Sequence, residues 1–590
     1  MHRLLQHMVL VALAISAPAL AAPTHLVDEP PRHIEEVEPG VFLVDFGRVA
    51  FGNLRLTAPD GSRARVRVHF GEALREERVD RQPPGTVRYR DTGATLEGGV
   101  PKVVAPGRDA RNTSDGDADD PPAVLTPAQW DVLIPFRWVE ISGFPGRLQA
   151  QHIARRAAYL RAWRDDAATF TSSDELLNRV WELSRYSIKA TSFAGIYVDG
   201  DRERIPYEGD AYLNQLSHYY TDNDRQMARD TFDYLMRYPT WPTEWASHMI
   251  FMAYADWMHT GDRQWLAQRY DALRQKLLLQ RARADGLVTS DAGHIDKGDL
   301  VDWPPDERDG YVLSPVNTVV NAFHLRTLEL MARMAAALGH AEDAARFRAD
   351  YRRTLVAFQA AFYTPETGLY RDGLDIDHSS LHANLFPLAF GLVPPGQRAD
   401  IAAWLAQRGM RCSVYAAQYL LEGLFENGAG ARALELITAP GDRSWRHMLD
   451  SGATITWEAW DARYKPNLDW NHAWGAAPAN LLPRYILGAE PLAPGWESVR
   501  IRPVPGNLAH ASGKVPTVRG PIRVDWQRGG TFQLALRLPV GVRAVIELPA
   551  DSASATVTVN GETANARRVG DRWVLDAMVQ GDVKVEVVGD

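Results

Sequence analysis

Residues 199–210 form a dense run of charged side chains, in which seven of the twelve positions are acidic or basic. Pro206 and two glycines predict a loop of fixed shape, and loops held on a rigid scaffold commonly carry catalytic carboxylates. Arg202 and Arg204 could hold neighbouring carboxylates at different pKa values, as an acid and a base in one site require. A solvated turn between two helices is the alternative interpretation of the same residues.

A second acidic candidate, Glu458, lies far along the chain, flanked by Trp457 and Trp460 and followed by His472. Aromatic walls can position a sugar ring while a carboxylate activates water, so this grouping is typical of a site that faces a carbohydrate. In the alternative interpretation, Glu458 pairs with an arginine in the core and the tryptophans only pack. Two carboxylates so distant in sequence suit a barrel whose first and last hairpins close beside each other.

Other chemistries lack their usual signatures, since the chain has no Gly-x-Ser-x-Gly elbow, no phosphate-binding loop and no His-Glu-x-x-His pair. The single cysteine, Cys412, allows neither an intrachain disulfide nor a CxxC metal site. The acidic segment 107–122 lacks the spacing of a calcium loop and is predicted to be a mobile surface loop. We therefore expect no metal among the site residues and no cofactor, while the binding of a structural Ca²⁺ stays open. Residues 242–245, 302–309 and 382–384 lie at loop–helix junctions, where they could face the site, although each group is more often structural.

The elements that must position these residues change character along the chain. Apolar and polar residues alternate from about residue 41 to 146 and again beyond residue 491, as in β-sandwiches. In the middle the period is 3.6, a capping box at 172–175 opens the first helix, and some twelve helical segments predict an (α/α)6 barrel. The clearest helices are 176–192, 210–221, 224–237, 246–260, 263–283, 317–338, 341–362, 397–408 and 414–426. The predicted organisation is a signal peptide (1–21), an N-terminal antiparallel β-sandwich (22–165), the catalytic barrel (166–490) and a C-terminal antiparallel β-sandwich (491–590).

Composition bounds the function further. The net charge of −9 in 590 residues leaves no general basic surface, which argues against a nucleic-acid partner. Eighteen tryptophans either fill a large core or stack on sugar faces. Arg3, the apolar run 8–17 and the Ala-Leu-Ala at 19–21 form a secretory signal, so we expect a secreted or periplasmic protein. Since no other stretch approaches 18 apolar residues, we expect no membrane attachment after cleavage. The oligomeric state stays open.

Both acidic segments resemble motifs of the bacterial α-L-rhamnosidases of glycoside hydrolase family 78. The family's loop, an Asp followed by Arg-x-Glu-Arg-x-x-Trp-x-Gly-Asp, resembles residues 199–210, with Glu203-Arg204 and Gly209-Asp210 in register. The family's Ser-Gly-Ala-Thr-x-x-Trp-Glu segment matches residues 451–458. Residues 45–52, 136–141 and 499–503 resemble the flanking β-domains. The resemblance implies hydrolysis of terminal α-L-rhamnose from a carbohydrate substrate with inversion, Glu203 acting as general acid and Glu458 as general base. It also implies a sugar subsite made of Asp199, Asp210, Arg204, Trp303 and His472, to which we add Tyr207, Trp457 and Trp460.

The chain departs from the family motif in ways that bear on specificity. Asp199 and Glu203 are closer in sequence than in many members, Tyr207 replaces the usual tryptophan, and Pro206 replaces the usual glycine. Two other classes therefore stay open. One is another (α/α)6 glycosidase, either trehalase-like or an unsaturated uronyl hydrolase, which would need extra cations beside the sugar. The other is a secreted carbohydrate-binding protein whose carboxylates only recognise hydroxyl groups.

Overall fold

The computed structural model describes residues 23–112, 122–291, 293, 298–550 and 554–589. The predicted signal peptide and most of the predicted loop at 107–122 lie outside the described residues. An N-terminal sheet, a ring of helices and C-terminal sheets follow one another along the chain, which confirms the predicted fold class. Within the described ranges, no helix combines the length and the apolar character needed to cross a membrane.

The N-terminal region is built on an antiparallel sheet in the order β1-β10-β3-β9-β4-β7, with β2 and β8 also paired to β3. Strand β4 illustrates the alternation, because Val66, Val68 and Phe70 are buried while Arg65 and Arg67 face outward. The strands are β1 (Thr24–Glu29), β2 (His33–Glu38), β3 (Val41–Leu56), β4 (Arg63–Gly71), β5 (Leu74–Arg75), β6 (Arg78–Val79), β7 (Tyr89–Glu97), β8 (Lys102–Val104), β9 (Ile134–Ser142) and β10 (Ile153–Leu160).

The middle of the chain forms two concentric layers of helices. Helices α2, α4, α6, α8, α10 and α13 contact one another in sequence and close an inner ring, and their residues are buried on nearly all sides. The outer helices bury one face only, as amphipathic helices do. The helices are α1 (Glu175–Ala190), α2 (Glu208–Thr221), α3 (Gln226–Arg237), α4 (Ala246–Thr260), α5 (Arg263–Arg274), α6 (Thr318–Leu338), α7 (Ala341–Phe362), α8 (Leu381–Ala389), α9 (Arg398–Arg408), α10 (Val414–Glu426), α11 (Gly430–Ile437), α12 (Trp445–Asp450) and α13 (Pro478–Leu481).

An aromatic cluster ties four inner helices together. Phe323 of α6 is fully buried. The centroid of its ring lies within 6.0 Å of the centroids of four other rings, which belong to α4, α8, α10 and the residue that follows α8. These partners are Phe251, Phe386, Tyr419 and Phe390. Rings in such edge and stacked contacts bury large areas, so the cluster fixes the spacing of the inner helices from which the site loops emerge.

Two local predictions for the helices are wrong. The first helix is capped by Asp174, which accepts a hydrogen bond from the Leu177 amide at 3.1 Å, and not by a capping box that begins at Ser172. Helix α5 ends at Arg274 and not near residue 283, because Leu278 adopts a left-handed backbone with φ of 55°. Helix α8 was not among the helices named from periodicity, because it is buried on every side and therefore has no polar face.

The C-terminal region contains two further sheets, in the orders β11-β16-β17-β18-β25-β20-β21 and β14-β15-β19-β23-β22. Strand β11 (Thr169–Ser172) immediately precedes α1 and pairs with β16, so the start of the helical region is joined to the C-terminal sheet. Strands β12 (Tyr363–Thr364) and β13 (Leu369–Tyr370) form a hairpin among the helices. The other strands are β14 (Ala489–Pro491), β15 (Ser498–Ile501), β16 (His510–Val515), β17 (Ile522–Arg528), β18 (Thr531–Arg537), β19 (Arg543–Pro549), β20 (Ala555–Val559), β21 (Glu562–Thr563), β22 (Ala566–Val569), β23 (Arg572–Leu575), β24 (Val579–Gln580) and β25 (Asp582–Gly589).

Candidate active site

Loops that precede the inner helices α2, α4, α6 and α13 enclose a cavity of about 270 Å³. Both acidic segments reach it, although they are far apart in sequence, because the ring of helices closes on itself. Among the predicted site residues, Glu203, Glu458, Asp199, Tyr207, Asp210, Trp303 and His472 line the cavity, whereas Arg204, Trp457 and Trp460 do not. The remaining lining residues are Arg202, Trp241, Trp245, Leu300 and Trp474.

The first acidic loop is held in shape by two hydrogen bonds between its ends. The Asp199 amide donates to the Ile205 carbonyl at 3.0 Å, and the Ile205 amide donates to Asp199 Oδ1 at 3.0 Å. Glu203 lies between these anchors with 34% of its side chain exposed. The Tyr207 hydroxyl donates to Glu203 Oε2 at 2.8 Å. The loop therefore presents a positioned, accessible carboxyl group at the cavity.

Arg202 joins the two predicted catalytic carboxylates. Its Nη2 atom lies 3.1 Å from Glu203 Oε1 and 2.7 Å from Glu458 Oε1. The sugar subsite predicted from the sequence contained Arg204 and not Arg202. The structure corrects this choice, because Arg202 lines the cavity beside Glu203, whereas the Arg204 guanidinium pairs with Asp201 away from the cavity.

Glu458 lies deep in the cavity, with only 2% of its side chain exposed. Besides Arg202, the Lys465 ammonium lies 3.1 Å from its Oε1 atom, and the Asp469 amide donates to its Oε2 atom at 3.3 Å. Burial and the nearby charge of Asp469 raise the pKa of Glu458, while Arg202, His472 and Lys465 oppose that rise. The carboxylate is thus desolvated but surrounded by cations.

His472 is clamped between two buried carboxylates. Its Nε2 atom is 2.5 Å from Asp210 Oδ1, and its Nδ1 atom is 3.6 Å from Asp469 Oδ1. Burial alone would lower the pKa of His472, but the hydrogen bonds and charges of Asp210 and Asp469 raise it well above the ordinary value. Burial and the charge of Glu203 raise the pKa of Asp199 as well. The cavity therefore holds an imidazolium paired with two carboxylates and, in Asp199, a carboxyl group whose neutral form can donate a hydrogen bond to a hydroxyl group.

The same cluster contains the one set of metal-ligand atoms found among the described residues. Ligand-type atoms of Glu458, Asp469 and His472 lie within 4.8 Å of one another. A histidine must be neutral to bind a metal, whereas the raised pKa of His472 favours the protonated ring. Lys465 and Arg202 already contact Glu458 as cations. The donor set therefore does not fit a cation.

Arg204 holds the acidic loop on the side that faces away from the cavity. Its guanidinium is 1% exposed, lies 2.6 Å from Asp201 Oδ1, and donates to the Leu133 carbonyl at 2.7 Å. The N-terminal region adds Arg88, whose Nε atom lies 3.0 Å from Asp201 Oδ2. Arg204 thus joins the loop to the N-terminal sheet and does not reach the cavity.

Glu72 of the N-terminal region extends this contact to the second loop. Its carboxyl group accepts from the Arg88 amide at 2.7 Å and from Asn471 Nδ2 at 3.1 Å, while Asn471 Oδ1 accepts from the Asp201 amide at 2.7 Å. Asn471 directly precedes His472. Both site loops are therefore tied to each other and to the N-terminal sheet by buried polar contacts.

The predicted aromatic walls belong to the core. Trp457 stacks on Trp470 at a centroid distance of 4.8 Å, and Trp460 meets Trp445 edge to face at 4.9 Å while its Nε1 atom donates to the Cys412 carbonyl. These two rings do not line the cavity beside Glu458, because each is held by partners in the core. The cavity walls come from Trp303, as predicted, and from Trp241, Trp245 and Trp474.

Lys465 and Asp469, which contact Glu458, were not predicted as site residues. The available signal was weak, since it consisted of charged residues shortly after Glu458 in a segment rich in tryptophan.

A ring of paired helices with two carboxylates in an aromatic cavity defines the class of six-hairpin glycosidase folds. The family model described as the bacterial alpha-L-rhamnosidase 6 hairpin glycosidase domain matches residues 165–486. The models for the concanavalin-like domain and the C-terminal domain of the same family match residues 35–159 and 488–563. The chain belongs to the bacterial α-L-rhamnosidase family.

Individual relatives are distant and longer. The α-L-rhamnosidase of Streptomyces avermitilis is 24% identical over 88% of this chain and 50% of its own length, and that of Alteromonas sp. is 24% identical over 70% and 48%. The chain spans about half the length of the curated relatives it matches. The structure of the Streptomyces avermitilis enzyme complexed with L-rhamnose has a TM-score of 0.76 at 21% identity and covers 96% of this chain and 54% of that chain. A Klebsiella oxytoca rhamnosidase with rhamnose bound has a TM-score of 0.60 at 17% identity, covering 78% of this chain and 96% of that chain.

Proposed function

We propose that this protein hydrolyses terminal α-L-rhamnosides. The observation that carries the proposal is the pairing of Glu203 and Glu458 in one aromatic cavity, the first accessible and the second buried among cations. Family membership supplies the substrate class, because the family is defined by bacterial α-L-rhamnosidases. The remaining polar lining, Asp199, Asp210 and His472, suits a sugar ring with several hydroxyl groups.

The two carboxyl groups take different roles in the proposed reaction. Glu203 gives its proton to the glycosidic oxygen as the bond from that oxygen to the anomeric carbon breaks. Glu458 takes a proton from a water molecule, whose oxygen forms the new bond to the anomeric carbon. The cations around Glu458 favour its ionised form, which a base requires, and the exposure of Glu203 leaves room for the leaving group.

Inversion at the anomeric carbon is proposed from the family resemblance. Because one Arg202 nitrogen contacts both carboxylates, the two oxygens concerned lie at most about 6 Å apart. This limit is shorter than the roughly 6.5–9.5 Å typical of inverting pairs, so the proposal of inversion rests on the resemblance and not on this distance. Proton NMR of the first sugar released from an aryl α-L-rhamnoside tests the assignment. We expect β-rhamnose first, and initial release of α-rhamnose would refute inversion.

Carboxamide variants test the roles. An aryl rhamnoside with an activated leaving group needs no proton from the enzyme, so it is expected to restore turnover to Glu203→Gln but not to Glu458→Gln. Glu182→Gln is the matched control, because Glu182 pairs with Arg48 and Arg185 outside the cavity. An equal response of the two cavity variants would show that the roles are misassigned.

The same assays separate the alternatives. A uronyl hydrolase would cleave aryl uronides instead, but Arg202 and Lys465 are both occupied by Glu458, which argues against a second carboxylate in the cavity. A binding protein would retain rhamnose affinity in both carboxamide variants, and the unmodified protein would have no turnover to lose.

We also propose that the protein is exported to the periplasm or the medium. The proposal rests on the signal-like residues 1–21. Cell fractionation and N-terminal sequencing test it, with a mature chain that begins at Ala22 as the expected result. A cytoplasmic protein that retains residues 1–21 would refute it.

A further inference from the structure

Trp241 is unusual among the aromatic residues of this protein. Half of its surface is exposed, whereas every other tryptophan, tyrosine and phenylalanine in the described residues is buried or partly buried. It nevertheless lines the cavity, together with the buried Trp245 and Trp474, which are 5% and 2% exposed. A large apolar ring that is left open at the edge of a polar cavity is placed to receive part of a ligand.

The loop that carries Trp241 is fixed on both sides. On one side, the Thr240 amide donates to Glu208 Oε1 at 3.0 Å, and the Thr240 hydroxyl donates to the other carboxylate oxygen. On the other side, the Thr243 amide donates to the Gly298 carbonyl at 2.6 Å. Glu208 is only 1% exposed, so a buried carboxylate from the acidic segment is used to hold this loop. A fixed backbone lowers the entropy that the ring loses when it contacts a ligand.

The cavity has a deep end and an open end. The side chains of Glu458, Asp210 and His472 are 2%, 4% and 3% exposed, whereas Glu203 is 34% exposed. A general acid protonates the oxygen that joins the sugar to its leaving group, so the leaving group must lie on the side of Glu203. Because Trp241 is the most exposed lining residue, we place it on the same solvent-facing side of the cavity as Glu203.

We propose that Trp241 forms a leaving-group subsite that binds a ring with an apolar face, either the C–H face of a second sugar or an aryl group. The inference rests on the proposed function and adds to it the class of substrate. It implies that the natural substrate carries such a ring directly after the cleaved bond. The buried residues of the cavity hold the rhamnose, and Trp241 contacts the ring that is attached to the rhamnose.

The test compares three substrates in the full-length protein: methyl α-L-rhamnoside, a rhamnosyl-glucose disaccharide and an aryl α-L-rhamnoside. For Trp241→Ala we expect kcat/KM to fall about tenfold for a substrate whose leaving group is a ring, which corresponds to about 1.4 kcal/mol. The methyl substrate is expected to change less than about twofold, since it has no ring to lose contact. A loss confined to the disaccharide identifies a sugar subsite, and a loss confined to the aryl substrate identifies an aryl subsite.

Three controls test whether the effect comes from the loss of the Trp241 ring at the leaving-group side of the cavity. Trp241→Phe keeps a ring and is expected to retain most of the activity on ring-bearing substrates. Trp138→Ala removes a half-buried tryptophan of β9 that does not line the cavity, and is expected to leave all three substrates unchanged. Calorimetric titration with rhamnose alone is expected to give the same affinity for Trp241→Ala as for the unmodified protein, because the deep end of the cavity is intact.

The outcomes are distinguishable. Equal losses on all three substrates, or a weaker affinity for rhamnose alone, would place Trp241 in the rhamnose site or the fold and overturn the inference. No loss on any substrate would overturn it as well. If the unmodified protein cleaves none of the rhamnosides, the proposed function itself fails, and the leaving-group subsite fails with it.

Discussion

Replacing Lys465 by methionine and Asp469 by asparagine is expected to move the pH dependence of hydrolysis in opposite directions. Both residues act on Glu458, the proposed base, which must be ionised to accept a proton. Lys465 lowers the pKa of Glu458 and Asp469 raises it. Lys465→Met should therefore shift the acid limb of kcat/KM to higher pH, and Asp469→Asn should shift it to lower pH.

The size of the effect follows from the distances. With an effective dielectric constant of about 20, Coulomb's law gives about 5 kcal/mol for the Lys465 ammonium at 3.1 Å and about 3.5 kcal/mol for Asp469 at the 4.8 Å limit. Arg202 stays beside the carboxylate and water enters the altered space, and both reduce the effect of the lost charge. We therefore expect the measured change to be about a quarter of the larger Coulomb energy. That is about 1.4 kcal/mol, or a tenfold change in kcat/KM at a fixed pH on the acid limb.

The assay is the pH profile of kcat/KM with an aryl α-L-rhamnoside, each variant normalised to its own plateau. Lys465→Arg keeps the positive charge and is expected to follow the unmodified profile. Asp450→Asn removes a surface carboxylate that pairs with Arg446 on α12 and serves as the control for a lost negative charge. Acid limbs that move in the same direction for Lys465→Met and Asp469→Asn, or that do not move, would refute the assignment of Glu458 as the titrating base.

Two further predictions concern stability. Burial raises the pKa of Glu72 from its ordinary value of 4.5 to about 8, so between these pH values the folded state binds a proton that the unfolded state lacks, and the free energy of unfolding falls as pH rises, by about 1.4 kcal/mol per pH unit. Glu72→Gln does not titrate and should flatten this slope in melting temperature against pH; parallel slopes would contradict the explanation. Phe323→Ala should cost about 3–5 kcal/mol in chemical denaturation because it opens a cavity among the inner helices, whereas Val356→Ala on the exposed face of α7 should cost under about 0.5 kcal/mol. Similar losses for both would show that the cluster is not tightly packed.

Periodicity along the chain was enough to predict the fold. Alternation in segments such as β4 and the 3.6 period of the outer helices report which face of an element is buried, and these signals depend only on neighbouring residues. The fully buried helix α8 and the end of α5 were harder, because a helix buried on all sides has no polar face and a single left-handed residue has no periodic signature.

By itself, the sequence was enough to indicate the two acidic segments and the family, and to predict Glu203 and Glu458 as the catalytic pair, because these inferences depend on residue types at short, fixed spacings. Only the tertiary structure decided which neighbours of those residues face the cavity. Arg202 and Arg204 are two positions apart, yet one bridges both carboxylates and the other anchors the loop against the N-terminal sheet. Likewise Trp457 and Trp460 pack in the core, while Trp241 and Trp245 come from another loop to line the cavity. The physical reason is that the direction of a side chain in a loop is set by the backbone turn and by long-range partners such as Asp201 and Glu72, and no short stretch of sequence contains them.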